Sequence, residues 1–237
     1  ISKRFRGLVA VDKASFALDQ GDIFAVIGPN GAGKTTLFNM IAGMLAPDEG
    51  TITFCGQRID GMPADAVCRL GIGRTFQIVR PFPSLSVEDN VTIGALLHRS
   101  DVGAARSYAR DVLAKLDLFD KRAVTASALT LPNRKRLEVA RALVRTPKLL
   151  VCDEPFAGVD PAGAQRLGDI LRALADDGVA VLLADHHVAE ALRVCTRALL
   201  LLDGAIAVEA DPEAFREHEL VRGRYLGTWT RSIPPPP

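Results

Sequence analysis

The sequence predicts an α/β fold with a mainly parallel β-sheet core and a helical subdomain. Three observations predict it. Short apolar segments at 23–27, 149–152 and 179–184 are typical of strands buried on both faces. Segments of helical periodicity alternate with them, as in parallel sheets. A stretch from Val87 to about Phe119 is mostly helical, so it predicts a separate helical subdomain.

The N-terminal elements follow from local patterns. Residues 8–28 predict strands, because "LVAVDKASFAL" alternates in part and "DIFAVIG" is a short apolar run that ends in glycine. Apolar residues at helical spacing then predict a helix over 33–45 that ends before Pro47. "GTITFCG" and "GIGRTFQ" predict two further strands between turn residues.

The alternation of strand and helix resumes after the helical stretch. "PKLLVCDEP" predicts a buried strand, "PAGAQRLGDILRALADDG" a helix and "VAVLLADHH" a second buried strand. "RALLLLDGAIAVE" predicts a hairpin that turns at Asp203-Gly204. The C-terminal "IPPPP" predicts a disordered extension.

These patterns divide the chain into four segments. Residues 1–78 hold the first part of the core, and 79–145 hold the helical subdomain with the helix that begins near 130. Residues 146–227 complete the core, and 228–237 form the tail.

Composition limits the possible functions. The chain has 237 residues, 48% of them hydrophobic, which is enough for one large α/β domain. The net charge is +1, so no overall field attracts the chain to nucleic acid or to anionic lipid. The longest apolar run, 179–184, is far short of the ~20 residues that a membrane-spanning helix needs, so we expect a membrane link only through a partner.

The strongest motif is "GPNGAGKT", Gly28 to Thr35, which fits G-x-x-x-x-G-K-[ST]. Its glycines let backbone N–H groups curl around phosphate oxygens, and the helix from Lys34 directs its positive end at the same charge. Lys34 can reach the outer phosphates, and the Thr35 hydroxyl can bind Mg²⁺. A simple glycine-rich turn is the alternative, but the motif follows an apolar strand and opens a helix.

A second signal is the Asp153-Glu154 pair at the end of a buried strand. Adjacent residues on a strand point in opposite directions, so the two carboxylates can serve two tasks. Asp153 can bind the Mg²⁺ shell, and Glu154 can orient or deprotonate a water aimed at the terminal phosphate. Alone, such a pair usually lies in a solvated turn; downstream of a phosphate loop, phosphate chemistry is favoured.

Three single residues are weaker signals. Gln77 can contact the Mg²⁺-bound or attacking water, although a surface glutamine is the simpler interpretation. His186 can bond the terminal phosphate, although a capping or core histidine is the commoner case, and the adjacent His187 leaves the choice open. Asp160 can simply precede a helix that begins near Pro161.

The stretch "LTLPNRKRLEVARAL", residues 129–143, allows two interpretations. Its basic residues fit a nucleic-acid-binding helix, whereas its opening fits an unusual anion site at a helix N-terminus. Glu138 lies four residues after Arg134 and three before Arg141, so we expect surface ion pairs along this helix. Apolar residues form the expected buried stripe; these are Leu137, Ala140, Leu143 and Val144.

The order of these motifs closely resembles that of the ATP-binding-cassette (ABC) ATPases, over about Ser2 to Gly227. Within that superfamily, "KRFRGLVAVD", "GIGRTFQIVRPFPSLSVEDNV", "RKRLEVARAL" and "YLG" resemble the cytoplasmic ATPases of branched-chain amino-acid importers. The resemblance implies the α/β P-loop NTPase fold of the ABC type, which has a mixed sheet core, an N-terminal antiparallel β region and a helical subdomain. It also implies ATP and Mg²⁺ as cofactors. It also implies a dimer that drives a membrane permease from the cytoplasmic side of the inner membrane, supplied by an extracytoplasmic binding protein, without nucleic acid.

Family roles carry over where residues match. The implied ATP-binding residues are Phe5 (adenine stacking), Gly28, Asn30, Gly31, Ala32, Gly33, Lys34, Thr35 and Thr36. The implied Mg²⁺ residues are Thr35, Gln77 and Asp153, the implied catalytic residues are Glu154, His186 and Gln77, and Asp160 is the implied dimer contact.

The family's signature loop, typically Leu-Ser-Gly-Gly-Gln, acts on ATP held by the partner subunit. Here Leu129 to Asn133 occupy it, so Thr130, Leu131 and Asn133 are the implied residues acting in trans. Pro132 has no N–H to donate, although its fixed φ suits a first helical turn. This departure favours a heterodimer in which the partner supplies an ordinary signature.

Other functions remain alternatives. A soluble ABC protein acting on nucleic acid or ribosomes usually has two cassettes or a coiled-coil insertion, which this chain lacks. In a P-loop kinase, Glu154 and His186 would be coincidental. A catalytically weak structural partner fits Pro132 but not the intact Lys34 and Asp153.

The loop "RPFPSLSVEDN" either docks a permease helix or packs the helical subdomain internally.

Overall fold

The computed structural model describes residues 1–77, 81–97 and 99–223. The predicted tail and the "YLG" motif lie outside these residues. The strands are β1 Lys3–Phe5, β2 Leu8–Val11, β3 Ile23–Ile27, β4 Thr53–Phe54, β5 Gln57–Arg58, β6 Ile72–Arg74, β7 Leu149–Asp153, β8 Ala180–Ala184, β9 Arg197–Leu202 and β10 Ala205–Ala210. The helices are α1 Lys34–Ile41, α2 Ala64–Leu70, α3 Val87–Ala95, α4 Val102–Lys115, α5 Leu131–Leu143, α6 Pro161–Asp176, α7 Val188–Val194, α8 Pro212–Glu217 and α9 Glu219–Val221, with 3₁₀ turns at Phe119–Lys121 and Ala126–Ala128.

The core is a six-stranded mixed sheet in the order β10-β9-β3-β8-β7-β6. Strands β9, β3, β8, β7 and β6 are parallel, and β10 pairs antiparallel with β9 through the predicted hairpin at Asp203-Gly204. β1 and β2 form a separate antiparallel pair at the N-terminus. The predicted α/β fold with its N-terminal antiparallel strands is therefore confirmed.

Two apolar clusters cover the faces of the sheet. One packs α1 and the N-terminal segment against one face, and the other packs α3 to α7 against the opposite face. Strands β3, β7 and β8 are buried along their whole length, which accounts for their nearly continuous apolar sequence.

Three boundaries differ from the predictions. β2 ends at Val11, and residues 12–22 pair with no strand; Lys13 has a φ of 48°, which breaks the extended run. α1 ends at Ile41 rather than near Leu45, because Gly43 takes a φ of 71° and the chain turns there. Of "GTITFCG", only Thr53–Phe54 forms a strand.

The loop before α3 packs internally in part, and docking of a permease helix on its exposed part stays a prediction. Val87 is fully buried, whereas 44% of Phe82 is exposed beneath the Arg141 guanidinium at 4.9 Å. Asn90 fixes this loop, because its side chain accepts from the Phe82 N–H and donates to the Phe82 carbonyl.

Candidate functional site

The glycine-rich loop joins β3 to α1 and depends on glycine at defined positions. A Cβ on Gly28 would lie 2.4 Å from the Leu201 carbonyl oxygen, and one on Gly33 would lie 2.1 Å from the Ala10 carbonyl oxygen. Gly33 also has a φ of 102° and caps α1 without a side-chain bond. The backbone N–H groups at the start of α1 thus face the loop without a side-chain cap, as an anion site requires.

Lys34 directs its ammonium into this loop. Its Nζ donates to the carbonyl oxygens of Gly28 at 2.6 Å and Pro29 at 2.9 Å. Burial lowers the pKa of Lys34, and the carboxylates of Glu154, Asp153 and Asp185 oppose that shift. Phosphate oxygens would offer this ammonium a stronger, charged acceptor.

The other predicted loop residues surround the same turn. Asn30 and Gly31 are exposed, Ala32 is buried, and Thr36 is half-buried in α1. Phe5 lies in β1 and is 42% exposed, with the Lys3 Nζ 5.8 Å from its ring centre. An adenine-stacking role for Phe5 stays a prediction.

Thr35 and Asp153 meet beside the loop. Asp153 ends β7 and is 4% exposed; burial raises its pKa, whereas the Arg74 guanidinium, the Thr35 hydroxyl hydrogen bond and Lys34 lower it. The Arg74 Nη2 lies 3.5 Å from Asp153 Oδ2. A hydroxyl and a carboxylate in contact are hard oxygen donors, so this pair fits Mg²⁺.

Glu154 has an unusual backbone conformation for its residue type. Its φ is 49°, in the left-handed region, and its N–H donates to the Ala184 carbonyl at 2.7 Å. Its Oε2 accepts a 2.8 Å bond from Gln77 Nε2 and lies 3.7 Å from His186 Nδ1. The structure therefore brings together Gln77, Glu154 and His186, three residues predicted from distant parts of the sequence.

The structure distinguishes the two adjacent histidines. His187 is tied to Asp185, whose Oδ1 lies 2.8 Å from both the backbone N and the ring Nδ1 of His187. His186 is the one that faces Glu154 and is the more exposed.

Sequence reasoning missed three charged residues that support this group. Asp185 is fully buried, and its Oδ2 accepts from the Phe156 N–H at 2.8 Å, so it joins the Glu154 loop to the His186 loop. Arg74 contacts Asp153, and the Lys135 ammonium donates to the backbone carbonyl of Glu154. None of the three had a distinctive signal in the sequence: Arg74 ends a strand, Asp185 follows one, and Lys135 lies in a run of basic residues.

The predicted signature begins α5, with Thr130 at its N-cap and Pro132 in its first turn. Thr130 and Leu131 are exposed, and Thr130 makes no side-chain capping bond. Asn133 instead is 8% exposed, and its Oδ1 accepts a hydrogen bond from Arg136 Nη2. In this structure the Asn133 amide thus faces inward, so a role for it in trans requires it to leave Arg136.

The expected surface position of Glu138 is wrong, but its expected interaction with Arg141 is present: burial raises the pKa of Glu138, and the Arg141 guanidinium acts against that shift. Glu138 is 6% exposed, and its Oε1 accepts from the Phe76 N–H at 3.2 Å. Arg134 donates to the Ser127 carbonyl instead. The apolar stripe is confirmed, but the burial of α5 extends over the face that carries Glu138 as well.

Asp160 is the N-cap of α6, because its Oδ1 accepts from the Gly163 N–H at 2.9 Å. This confirms the simpler interpretation, that Asp160 precedes a helix beginning at Pro161. Asp160 is also exposed, and its role as a dimer contact stays a prediction.

The chain is similar in sequence to known proteins of one family. Residues 11–157 match a family model described as "ABC transporter". The chain is 36% identical to the lipopolysaccharide export system ATP-binding protein LptB of Escherichia coli (strain K12), over 96% of this chain and 95% of that protein. It is 38% identical to a probable ABC transporter ATP-binding protein of Azorhizobium caulinodans, over 96% of this chain and 81% of that protein.

Solved structures give the same result. A nucleotide-free ATP-binding cassette of an ABC transporter superimposes with a TM-score of 0.87 and 28% identity, covering 97% of this chain and 96% of that chain. An ATP-binding cassette in its ADP conformation has the same TM-score with 29% identity, covering 96% of each chain. Among the described residues, no helix has the length and apolarity needed to cross a membrane.

Proposed function

Because this chain belongs to the ABC transporter family of ATP-binding proteins, we propose that it powers the import of a small polar solute, with branched-chain amino acids as the first candidates. Its general activity is ATP hydrolysis coupled to transport, with ATP and Mg²⁺ as cofactors. The observation that carries the catalytic assignment is the meeting of Gln77, Glu154 and His186 next to the Thr35–Asp153 pair.

The phosphate loop provides the binding step. The loop N–H groups and the Lys34 ammonium hold the phosphates of ATP, and the Gly28 and Gly33 backbones give them room. Thr35 and Asp153 would hold Mg²⁺, and the bound ion would neutralise the charge that develops on the phosphate oxygens.

Glu154 and Gln77 provide the water-positioning step. The Glu154 carboxylate accepts a proton from the attacking water, and the Gln77 amide, already 2.8 Å from that carboxylate, orients the water. The Nδ1 of His186 lies 3.7 Å from the same carboxylate, so its ring can bond the terminal phosphate from the adjoining loop. Positioning and charge stabilisation are the main sources of rate in phosphoryl transfer.

The active unit is a dimer of ATPase subunits on transmembrane permease subunits, which places this chain at the cytoplasmic face of the inner membrane. Thr130 and Leu131 are exposed at the start of α5, so they are available to the nucleotide of a second subunit. Because Pro132 removes one N–H from that surface, a homologous partner with an ordinary signature is favoured over a second copy.

The direction and solute rest on the sequence segments that resemble branched-chain amino-acid importers. The competing candidate is lipopolysaccharide export, which the name of LptB gives for that protein. The ATPase subunit does not contact the transported solute in either case, so the permease decides between them.

Purification of the complex from its membrane tests the proposal. We expect a permease pair and an extracytoplasmic binding protein that retains an amino acid or related polar solute, identified by mass spectrometry. Addition of that loaded binding protein to the reconstituted complex should stimulate ATP hydrolysis, whereas lipopolysaccharide should not. Stimulation by lipopolysaccharide alone would replace import by export and leave the ATPase assignment intact.

A further inference from the structure

Lys135 is a buried lysine on α5, five positions after Thr130, and only 5% of it is exposed. Lysines are rarely buried to this extent unless their ammonium has firm partners. Here the partners are backbone carbonyls at the hydrolytic centre rather than a single carboxylate. Its Nζ donates to the Glu154 carbonyl at 2.8 Å and to the Gln77 carbonyl at 3.2 Å.

These two carbonyls belong to residues whose side chains also meet. Gln77 Nε2 and Glu154 Oε2 are 2.8 Å apart. Gln77 and Glu154 are thus joined twice, through their side chains directly and through their backbones by way of Lys135. Because 58 residues separate Gln77 from Lys135 and 19 separate Lys135 from Glu154, this closed ring joins three distant parts of the chain.

The backbone of Glu154 requires such support. Its φ of 49° is disfavoured for a residue with a Cβ, and such conformations persist only where surrounding bonds determine them. The N–H of Glu154 is fixed by the Ala184 carbonyl at 2.7 Å. The carbonyl of Glu154 is fixed by Lys135 and, at the longer distance of 3.3 Å, by the Ala157 N–H.

Three carboxylates act on the charge of Lys135. Burial lowers the pKa of Lys135, while Glu138, Asp185 and Glu154 favour its charged form. Since a charged donor bonds a carbonyl more strongly than a neutral one does, the ammonium is well suited to hold both carbonyls.

We propose that Lys135 is a positioning residue of the hydrolytic centre, which fixes the backbones of Gln77 and Glu154 so that their amide and carboxylate meet the attacking water. The proposal rests on the proposed ATPase function. Lys135 lies behind the two side chains and acts through them, so it should affect turnover far more than it affects ATP binding.

The test is Lys135→Met in the assembled transporter complex, with kcat and the KM for ATP measured together. Methionine keeps the length and apolar contacts of the stem but removes both hydrogen bonds. We expect kcat to fall by about 10- to 100-fold, as small misplacements of catalytic groups do, with KM changed less than about threefold.

Lys135→Arg keeps the charge and several donors, so it should recover most of the lost kcat. Lys115→Met is the matched control, because Lys115 is exposed and its Nζ pairs with the exposed Asp177 at 2.7 Å. Circular dichroism and thermal unfolding of each variant report whether it is folded. If Lys135→Met does not fold, Lys135→Gln replaces it, with kcat expected to fall at least threefold.

Each outcome decides one question. A folded Lys135→Met or Lys135→Gln variant with wild-type kcat overturns the positioning role. A fall in kcat that Lys135→Arg does not recover, matched by an equal rise in KM, assigns Lys135 to general stability of the fold and also overturns it. An absence of ATP hydrolysis by the wild-type complex contradicts the proposed function itself and is seen before any variant is compared.

Discussion

The Gln77 amide donates to the Glu154 carboxylate across 2.8 Å, although 77 positions separate the two residues in the sequence. The bond places a neutral donor on the same oxygen that lies near His186. Because Gln77 follows β6 and Glu154 follows β7, and these strands are parallel neighbours, the contact forms at the carboxyl edge of the sheet. The hydrolytic group is therefore a direct consequence of strand order.

Replacement of Glu154 by glutamine removes the carboxylate but keeps its size and its contact with Gln77. We expect Glu154→Gln to leave ATP binding intact, to lower steady-state hydrolysis by at least about 10²-fold and to accumulate the closed dimer. The measurements are ATP affinity and phosphate release in the full complex. Glu190→Gln on α7, whose carboxylate bonds Arg193, is the control. Hydrolysis at the wild-type rate in Glu154→Gln would remove Glu154 from the catalytic role.

Replacement of Lys34 tests the phosphate loop. Its ammonium already lies within the loop, on the Gly28 and Pro29 carbonyls, so the loss of this charge should weaken ATP binding rather than only slow turnover. We expect Lys34→Ala to lower ATP affinity by about 10- to 100-fold, as the loss of a charged hydrogen bond does. Nucleotide titration measures this, with the exposed Lys121→Ala as control. An unchanged affinity would contradict the phosphate-loop assignment.

Some parts of the site could be predicted from the sequence. In these parts, one short segment contains both the functional residues and the residues that determine its local structure. The Gly28–Thr35 loop is such a case, because glycine is required where a Cβ would strike the backbone of Leu201 or Ala10. The Asp153-Glu154 pair is another, because both carboxylates lie where the buried strand β7 ends.

The supporting residues could not be predicted in the same way. Lys135 belongs to a run of basic residues that is typical of a solvated helix, and its carbonyl partners become neighbours only when α5 packs against the sheet. The prediction that Glu138 lies on the surface was wrong for the same reason. Helical spacing indicates which residues share a face but not whether that face meets solvent. α1 ends early because the chain turns at Gly43. A Cβ added at this position would lie 2.7 Å from the Met62 carbonyl oxygen, so glycine is required there.

Glu138 should make folding stability depend on pH. Burial raises its pKa from 4.5 to about 7 in the folded chain. Between these values the unfolded chain releases the proton that the folded chain keeps, so the free energy of unfolding falls as pH rises and levels off above about 7. The contribution amounts to at most roughly 3 kcal/mol.

The Glu138→Gln variant isolates this contribution, because glutamine does not ionise. We expect urea unfolding at pH 5 to 8 to show the wild type losing stability relative to Glu138→Gln as pH rises. The exposed Glu49→Gln variant should run parallel to the wild type. A constant difference between the wild type and Glu138→Gln over this range would show that Glu138 is already ionised at pH 5.

Pro132 gives the most specific prediction about a partner subunit. Its ring packs near the start of α6, where a Cβ on Gly163 would lie 3.2 Å from the Pro132 Cβ and Cγ. Replacement by glycine or alanine restores a backbone N–H at the exposed start of α5, at a cost in stability of about 1 kcal/mol from added freedom of the unfolded chain. If the signature acts on ATP held by the other subunit, this N–H should speed hydrolysis there by about tenfold.

Hydrolysis at the two nucleotide sites of the dimer can be measured separately, because each site combines the phosphate loop of one subunit with the signature of the other. Lys34→Ala in the same chain disables its own phosphate loop, so the remaining hydrolysis reports only the site that this chain's signature completes. In that background, equal acceleration by Pro132→Gly and Pro132→Ala would assign the effect to the restored N–H, whereas acceleration by Pro132→Gly alone would assign it to flexibility. If neither variant changes the rate, the missing donor does not limit hydrolysis, and Pro132 no longer favours a heterodimer.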